Sequence, residues 1–121
     1  MNLHGKLNYV EFAAADLDAT RAFFARAFGW TFVDYGPDYI SFASAEAGLD
    51  GGFFRAPLAS TTDRGGALLV FYSERLEQTL ADVEQAGGRI LKPVFAFPGG
   101  RRFHFAEPSG NEFAVWSELA D

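Results

Sequence analysis

The chain writes one pattern twice, and this repeat constrains its fold more than any other feature. Gly5 to Trp30, GKLNYVEFAAADLDATRAFFARAFGW, reads as strand, turn, helix and glycine. Gly65 to Ile90, GGALLVFYSERLEQTLADVEQAGGRI, reads the same way. Laid together, Leu17 falls on Leu76, Asp18 on Glu77, Thr20 on Thr79, Ala27 on Ala86 and Gly29 on Gly88, all at one separation. Each half then closes on short aromatic strands and a glycine turn, FASAEAGLDGGFF in the first and FAEPSGNEFAVW in the second. Repetition of this kind marks one supersecondary unit used twice.

The predicted elements follow from periodicity and punctuation. Lys6–Ala13 is a strand whose alternation sends Val10 and Phe12 to one face, Tyr9 and Glu11 to the other. Asp16 is placed to cap a helix running to Phe28, with Gly29 in its left-handed C-terminal position. Trp30–Tyr35, Tyr39–Ser44 and Asp50–Arg55 are the next strands, the last with glycines inside it that mark a close approach of ligand or backbone. The first module spans about 5–55, a polar linker 56–66, and the second module about 67–118, within a single 1–121 domain. In the second module Ser73 is expected to cap a helix to Ala86, and Ala96–Gly100 to form a flexible loop. The strands are Ala67–Tyr72, Arg89–Phe95, Arg101–Ala106 and Glu112–Glu118. The order strand-helix-strand-strand-strand, twice, gives an α+β fold of two βαβββ modules forming a curved mixed sheet around a cleft.

Composition narrows the function classes. The chain has 121 residues, of which 49% are hydrophobic and 14 are Phe, ample for a packed core. A net charge of −6 argues against nucleic acid and anionic membrane surfaces, which call for basic stripes. With no cysteine there are no disulfides, thiolate metal sites or thiol nucleophiles. The N-terminus lacks the plan of a signal peptide and no apolar run approaches a membrane span, so a soluble cytoplasmic protein is the expectation.

Three stretches, VEFAAADLDATRAFFARAFGW, LEQTLADVEQAGGRIL and FAEPSGNEFAVW, resemble the vicinal oxygen chelate superfamily of glyoxalases, extradiol dioxygenases and bleomycin-resistance proteins. The last is the sharpest, being similar to an acidic-Pro-x-Gly-Asn turn before the final strand. The resemblance implies two modules around a cup, completed in a homodimer. In catalytic members it implies a divalent metal held by His, Gln or Glu on the first and last strand of modules. The matching positions here are Tyr9, Gly52, about Leu68 and Ala114, and none suits a divalent ion. A two-residue shift keeps the face and offers Glu11, Asp50 and Glu112 instead.

The resulting expectation is a glyoxalase-like protein that binds a small aromatic or amphipathic molecule in a metal-free cup, in the manner of a resistance or sequestering protein. No catalytic residue is assigned and no cofactor is expected. The candidate ligand-binding residues are Tyr9, Glu11, Phe53, His104 and Trp116. Glu11 supplies charge recognition, Tyr9 and Trp116 supply stacking, and small Gly52 and Ala114 leave room between them. His104 reads either as a ligand or proton shuttle or as a hydrogen-bonded sheet histidine. Arg101 and Arg102 read either as an anion clamp or as an exposed and a salt-bridged pair. The alternative is a metal-dependent lyase, isomerase or dioxygenase using Glu11, Asp50, Glu112 or His104, with a divalent metal as cofactor.

Overall fold

Strand β1 (Tyr9–Ala14) turns Phe12 and Ala14 into the interior and leaves Tyr9 and Glu11 facing out, the alternation of a strand with one covered face. Asp16 then starts α1 (Leu17–Phe28). Its carboxylate accepts from the Ala19 amide at 3.0 Å, satisfying a free first-turn donor. Gly29 closes the helix at φ 72°, a conformation that a side chain resists. The module continues through β2 (Phe32–Asp34), β3 (Tyr39–Phe42), the single turn α2 (Ser44–Ala47) and β4 (Asp50–Arg55). A linker with a 3₁₀ turn at Thr62–Arg64 leads to β5 (Leu69–Tyr72), α3 (Leu76–Gln85), β6 (Arg89–Phe97), β7 (Gly100–Ala106) and β8 (Glu112–Glu118). This computed structural model describes residues 2–118.

The repeat is real in three dimensions. The first module forms a four-stranded sheet in the order β1-β4-β3-β2, and the second forms β5-β8-β7-β6. In each, the first strand lies parallel to the last and the middle pairs are antiparallel. The fold is α+β, built from two βαβββ modules whose mixed sheets remain two separate four-stranded sheets. None of the helices among the described residues is long and apolar enough to cross a membrane.

Three local expectations change. β1 begins at Tyr9, not Lys6, and Leu7 stands 92% exposed ahead of it. Ser73 does not cap α3: its amide is paired to the Trp116 carbonyl of β8, and the N-cap position falls two residues later, at Arg75. Its hydroxyl accepts instead from the Arg75 amide, and α3 starts at Leu76 with no side-chain cap. The loop expected at Ala96–Gly100 is a tight turn, since β6 runs to Phe97 and β7 starts at Gly100. Gly99, at φ 108°, follows Pro98 as a type II turn demands.

Helix α1 belongs to both modules. Phe24 packs 5.6 Å from Phe53 of the first sheet and 5.4 Å from Phe113 of the second, between ring centroids. Phe23 meets Phe105, and Phe28 stacks on Phe71 at 4.2 Å. One aromatic core therefore fills the space between the two sheets, on the face of each opposite to Tyr9 and Trp116.

The turn Glu107–Asn111 fastens the modules with polar groups. Buried Glu107 accepts from the Thr20 hydroxyl of α1 at 2.7 Å and from the Ser109 amide at 2.9 Å through one carboxylate oxygen. Its other oxygen accepts from the Asn111 side chain at 2.7 Å. The same Asn111 amide group donates to the Ala13 carbonyl of β1, and its oxygen accepts from the Ser60 amide of the linker, each at 2.8 Å. Burial pushes the Glu107 carboxyl above its ordinary range, against the pull of these donors.

Candidate functional site

The open face of the first sheet gathers the most chemistry. Across β1, β4 and β3 the register sets Glu11 opposite Gly52 and Gly52 opposite Ser41, with Tyr9 opposite Asp50 and Tyr39 opposite Phe54. Tyr39 bends across the sheet and donates to Glu11 Oε2 at 2.9 Å. The Tyr9 hydroxyl lies 2.5 Å from that of Tyr39. Because the one phenolic proton of Tyr39 is spent on Glu11, Tyr9 donates to Tyr39. The row Tyr9, Tyr39, Glu11 is thus a hydrogen-bonded relay ending on a carboxylate. Burial first, and then its hydrogen bonds with Tyr9 and Glu11, push the Tyr39 phenol above the ordinary tyrosine range, so it remains a proton donor at neutral pH.

Gly52 makes this possible. A Cβ there would sit 2.2 Å from the Tyr39 oxygen and 2.8 Å from the Ile40 carbonyl. The close approach that a glycine in β4 implied is that of the chain's own tyrosine. The room expected at Gly52 is therefore filled, and Ala114 is wholly buried. What stays open is a pocket of about 450 Å³ lined by Tyr9, Tyr35, Tyr39, Ser41, Phe42 and Asp50. On the other face of β1, a cleft of about 600 Å³ separates β1 from β5, its apolar walls including Val10, Phe12, Trp30, Leu69 and Phe71.

The predicted site residues divide between the sheets. Tyr9 and Glu11 are together, joined by Tyr39. Phe53 is not with them: as the neighbour of Gly52 it points the other way, is 0% exposed, and stacks on Phe12 at 5.4 Å. It is a core residue and leaves the ligand-binding set. Trp116 and His104 lie on the corresponding face of the second sheet. Trp116 is half-buried against Tyr72, whose ring stands edge-on at 5.1 Å. His104 is buried and its Nδ1 donates to Glu112 Oε2 at 2.8 Å. Its Nε2 is enclosed with no partner among the described residues, so the ring is shut off from a dissolved ligand. The arginines also separate: Arg101 pairs with Glu77 of α3, and Arg102 lies over the rings of Phe95 and Phe97 at 5.4 and 5.6 Å.

The other oxygen of Glu112 accepts from the Thr62 amide at 2.8 Å and from its hydroxyl at 2.9 Å, which draws the linker over β8. Burial works to raise the Glu112 pKa, but the Thr62 amide, His104 and the Thr62 hydroxyl outweigh it and hold the carboxyl below its ordinary range. A carboxyl depressed by folding stabilises the fold above its unfolded pKa, and that contribution is lost as pH falls through the folded value. Urea midpoints measured for the wild type and Glu112→Gln should therefore converge on acidification below the ordinary carboxylate range. A gap that is unchanged with pH would refute this role.

The donor sets do not fit a divalent metal. The position opposite Gly52 on β1 is Glu11, and the position opposite Ala114 on β5 is Val70, since Leu68 precedes that strand. These four positions together offer one carboxylate. The shifted set fares no better: Glu112 is engaged by Thr62 and His104, Asp50 accepts from the Ser44 amide at 2.7 Å, and Glu11 holds Tyr39. No group of three or more His, Asp or Glu side chains that could hold a metal comes together among the described residues.

Residues 6–115 match the sequence model of the Glyoxalase/Bleomycin resistance protein/Dioxygenase superfamily. The chain belongs to this superfamily. Solved structures agree on the fold. A glyoxalase-related enzyme from Fulvimarina pelagi superposes with a TM-score of 0.78 at 19% identity, covering 94% of this chain and 88% of that one. A glyoxalase/bleomycin resistance protein/dioxygenase family enzyme from Burkholderia phytofirmans gives 0.77 at 16%, over 95% and 100%. FosX, a genomically encoded fosfomycin resistance protein from Listeria monocytogenes, gives 0.74 at 19%, over 97% and 96%. A sequence search of the curated proteins finds no match. Within this glyoxalase-superfamily chain, sequence reasoning missed Tyr39. The signal was present: alternation in YISF puts Tyr39 and Ser41 on the face of Gly52.

Proposed function

We propose that this glyoxalase-superfamily protein binds a small aromatic or amphipathic molecule against the open face of its first sheet, without a divalent metal, as a resistance-type or sequestering protein. The relay from Tyr9 through Tyr39 to Glu11 carries this reading. It presents two aromatic rings and a carboxylate beside an open pocket, on a face where no group of three metal-ligating side chains comes together among the described residues. The apolar cleft behind β1 offers surface for an apolar portion of the ligand. The reading carries a homodimer with it. Val70 and Tyr72 on the second sheet stay exposed, and a two-fold copy would cover them while the face of Tyr9 stays open to the ligand.

Calorimetric titration with a panel of small aromatic and antibiotic-like compounds tests it. A ligand from the panel should lose about tenfold in affinity on Glu11→Gln, and a smaller factor on Tyr39→Phe, which frees the carboxylate from its phenol. Unchanged affinity in Glu11→Gln would make Glu11 a bystander. Stoichiometric metal in the purified protein, or a large thermal shift with one of zinc, nickel, manganese or iron(II), would overturn the reading in favour of metal-dependent chemistry.

A further inference from the structure

The open face of the first sheet has no positive charge of its own. Alternation sends Glu11 and Asp50 to it, with the rings of Tyr9, Tyr39 and Phe54, and neither Lys nor Arg among its strand residues. The nearby arginines are committed elsewhere. Arg55 is held by Asp38 and the Pro37 carbonyl, and Arg21 by Asp34 on the helix side. Glu11 accepts from Tyr39 and Asp50 from the Ser44 amide, and neither is paired with a Lys or Arg among the described residues.

From this we infer that the ligand of this face is an organic cation, a small ammonium compound with an apolar or aromatic portion. The inference rests on the binding role proposed above and names its substrate class. An anion would meet two like charges. A neutral ligand would cover Glu11 and strip its water without replacing it, which is costly for a carboxylate. An ammonium group restores the charge balance and is attracted to the faces of tyrosine rings. Because Tyr39 is held as a neutral phenol, it keeps its proton and donates it in the hydrogen bond to Glu11, which sets its ring beside the carboxylate.

The test uses benzyltrimethylammonium, benzyl alcohol and benzoate as probes of one shape and three charges. Each is titrated into the full-length protein and followed through the backbone amide signals of Tyr9, Glu11, Tyr39 and Gly52. The cation should bind at these amides about tenfold or more tighter than the alcohol, with benzoate weakest, and its affinity should fall as salt is added. Glu11→Gln and Asp50→Asn should each lower the affinity for the cation. Both keep an oxygen acceptor for Tyr39 or the Ser44 amide and remove only charge. If the alcohol or benzoate binds these amides as tightly as the cation, the cation inference falls while the binding role stands. If the cation binds but shifts only amides of the second sheet, the first-sheet site falls and the cation inference falls with it. If none of the probes moves these amides, both fail.

Discussion

Asn111→Ala is expected to lower the unfolding free energy by about 3 kcal/mol, because it strands one buried and two half-buried partners on three different segments. The side chain is wholly buried. Its loss leaves the Ala13 carbonyl at the end of β1, the Ser60 amide in the linker and one oxygen of Glu107 short of a partner. Each of these would have to recover water or remain unpaired in the interior. Asn111→Asp should be at least as damaging, since it restores the acceptor for Ser60 but sets a second carboxylate against Glu107. Urea unfolding of both variants at neutral pH checks this. A loss below about 1 kcal/mol for the alanine variant would mean that the turn is held by its backbone alone.

Phe24→Ala should cost about 3–5 kcal/mol, the range for emptying a buried aromatic position. The ring is 0% exposed and touches both sheets and Trp30, which it stacks at 4.4 Å. The cavity would open where α1 meets both modules, so neither sheet alone could close it. Phe24→Leu, which keeps most of the volume, should cost far less, about 1 kcal/mol. Denaturant unfolding followed by tryptophan fluorescence reads both effects. Near-equal losses for the two variants would show that ring stacking, and not volume, sets the stability here.

The two-module plan was legible because it rests on local chemistry. Asp16, Gly29 and the alternation of β1 each specify their own element, and the duplicated spacing says that the elements recur. The site was legible only in part. Tyr9 and Glu11 follow from the alternation of one strand. Phe53 was misplaced because DGGFFR is apolar on both faces near its centre, and its facing is settled only by the pairing of β4 with β1 and β3. His104 could have been a ligand or a packed histidine by sequence, and what decides it is Glu112 across the sheet. Tyr39 was passed over because its role depends on bending across Gly52, a contact between strands that periodicity along one strand does not report.

The Glu107–Asn111 turn has a consequence for the order of events during synthesis. A ribosome releases β1 and α1 first, yet the groups that complete them, for Thr20 the Glu107 carboxylate and for Ala13 the Asn111 amide, are near the end of the chain. Phe24 likewise waits for Phe113. The first module therefore emerges with an apolar face and open hydrogen-bonding positions that its own residues do not fill. Stalling translation before the last turn should hold it in a protease-sensitive state, and release of the final strand should close both modules in a single late step.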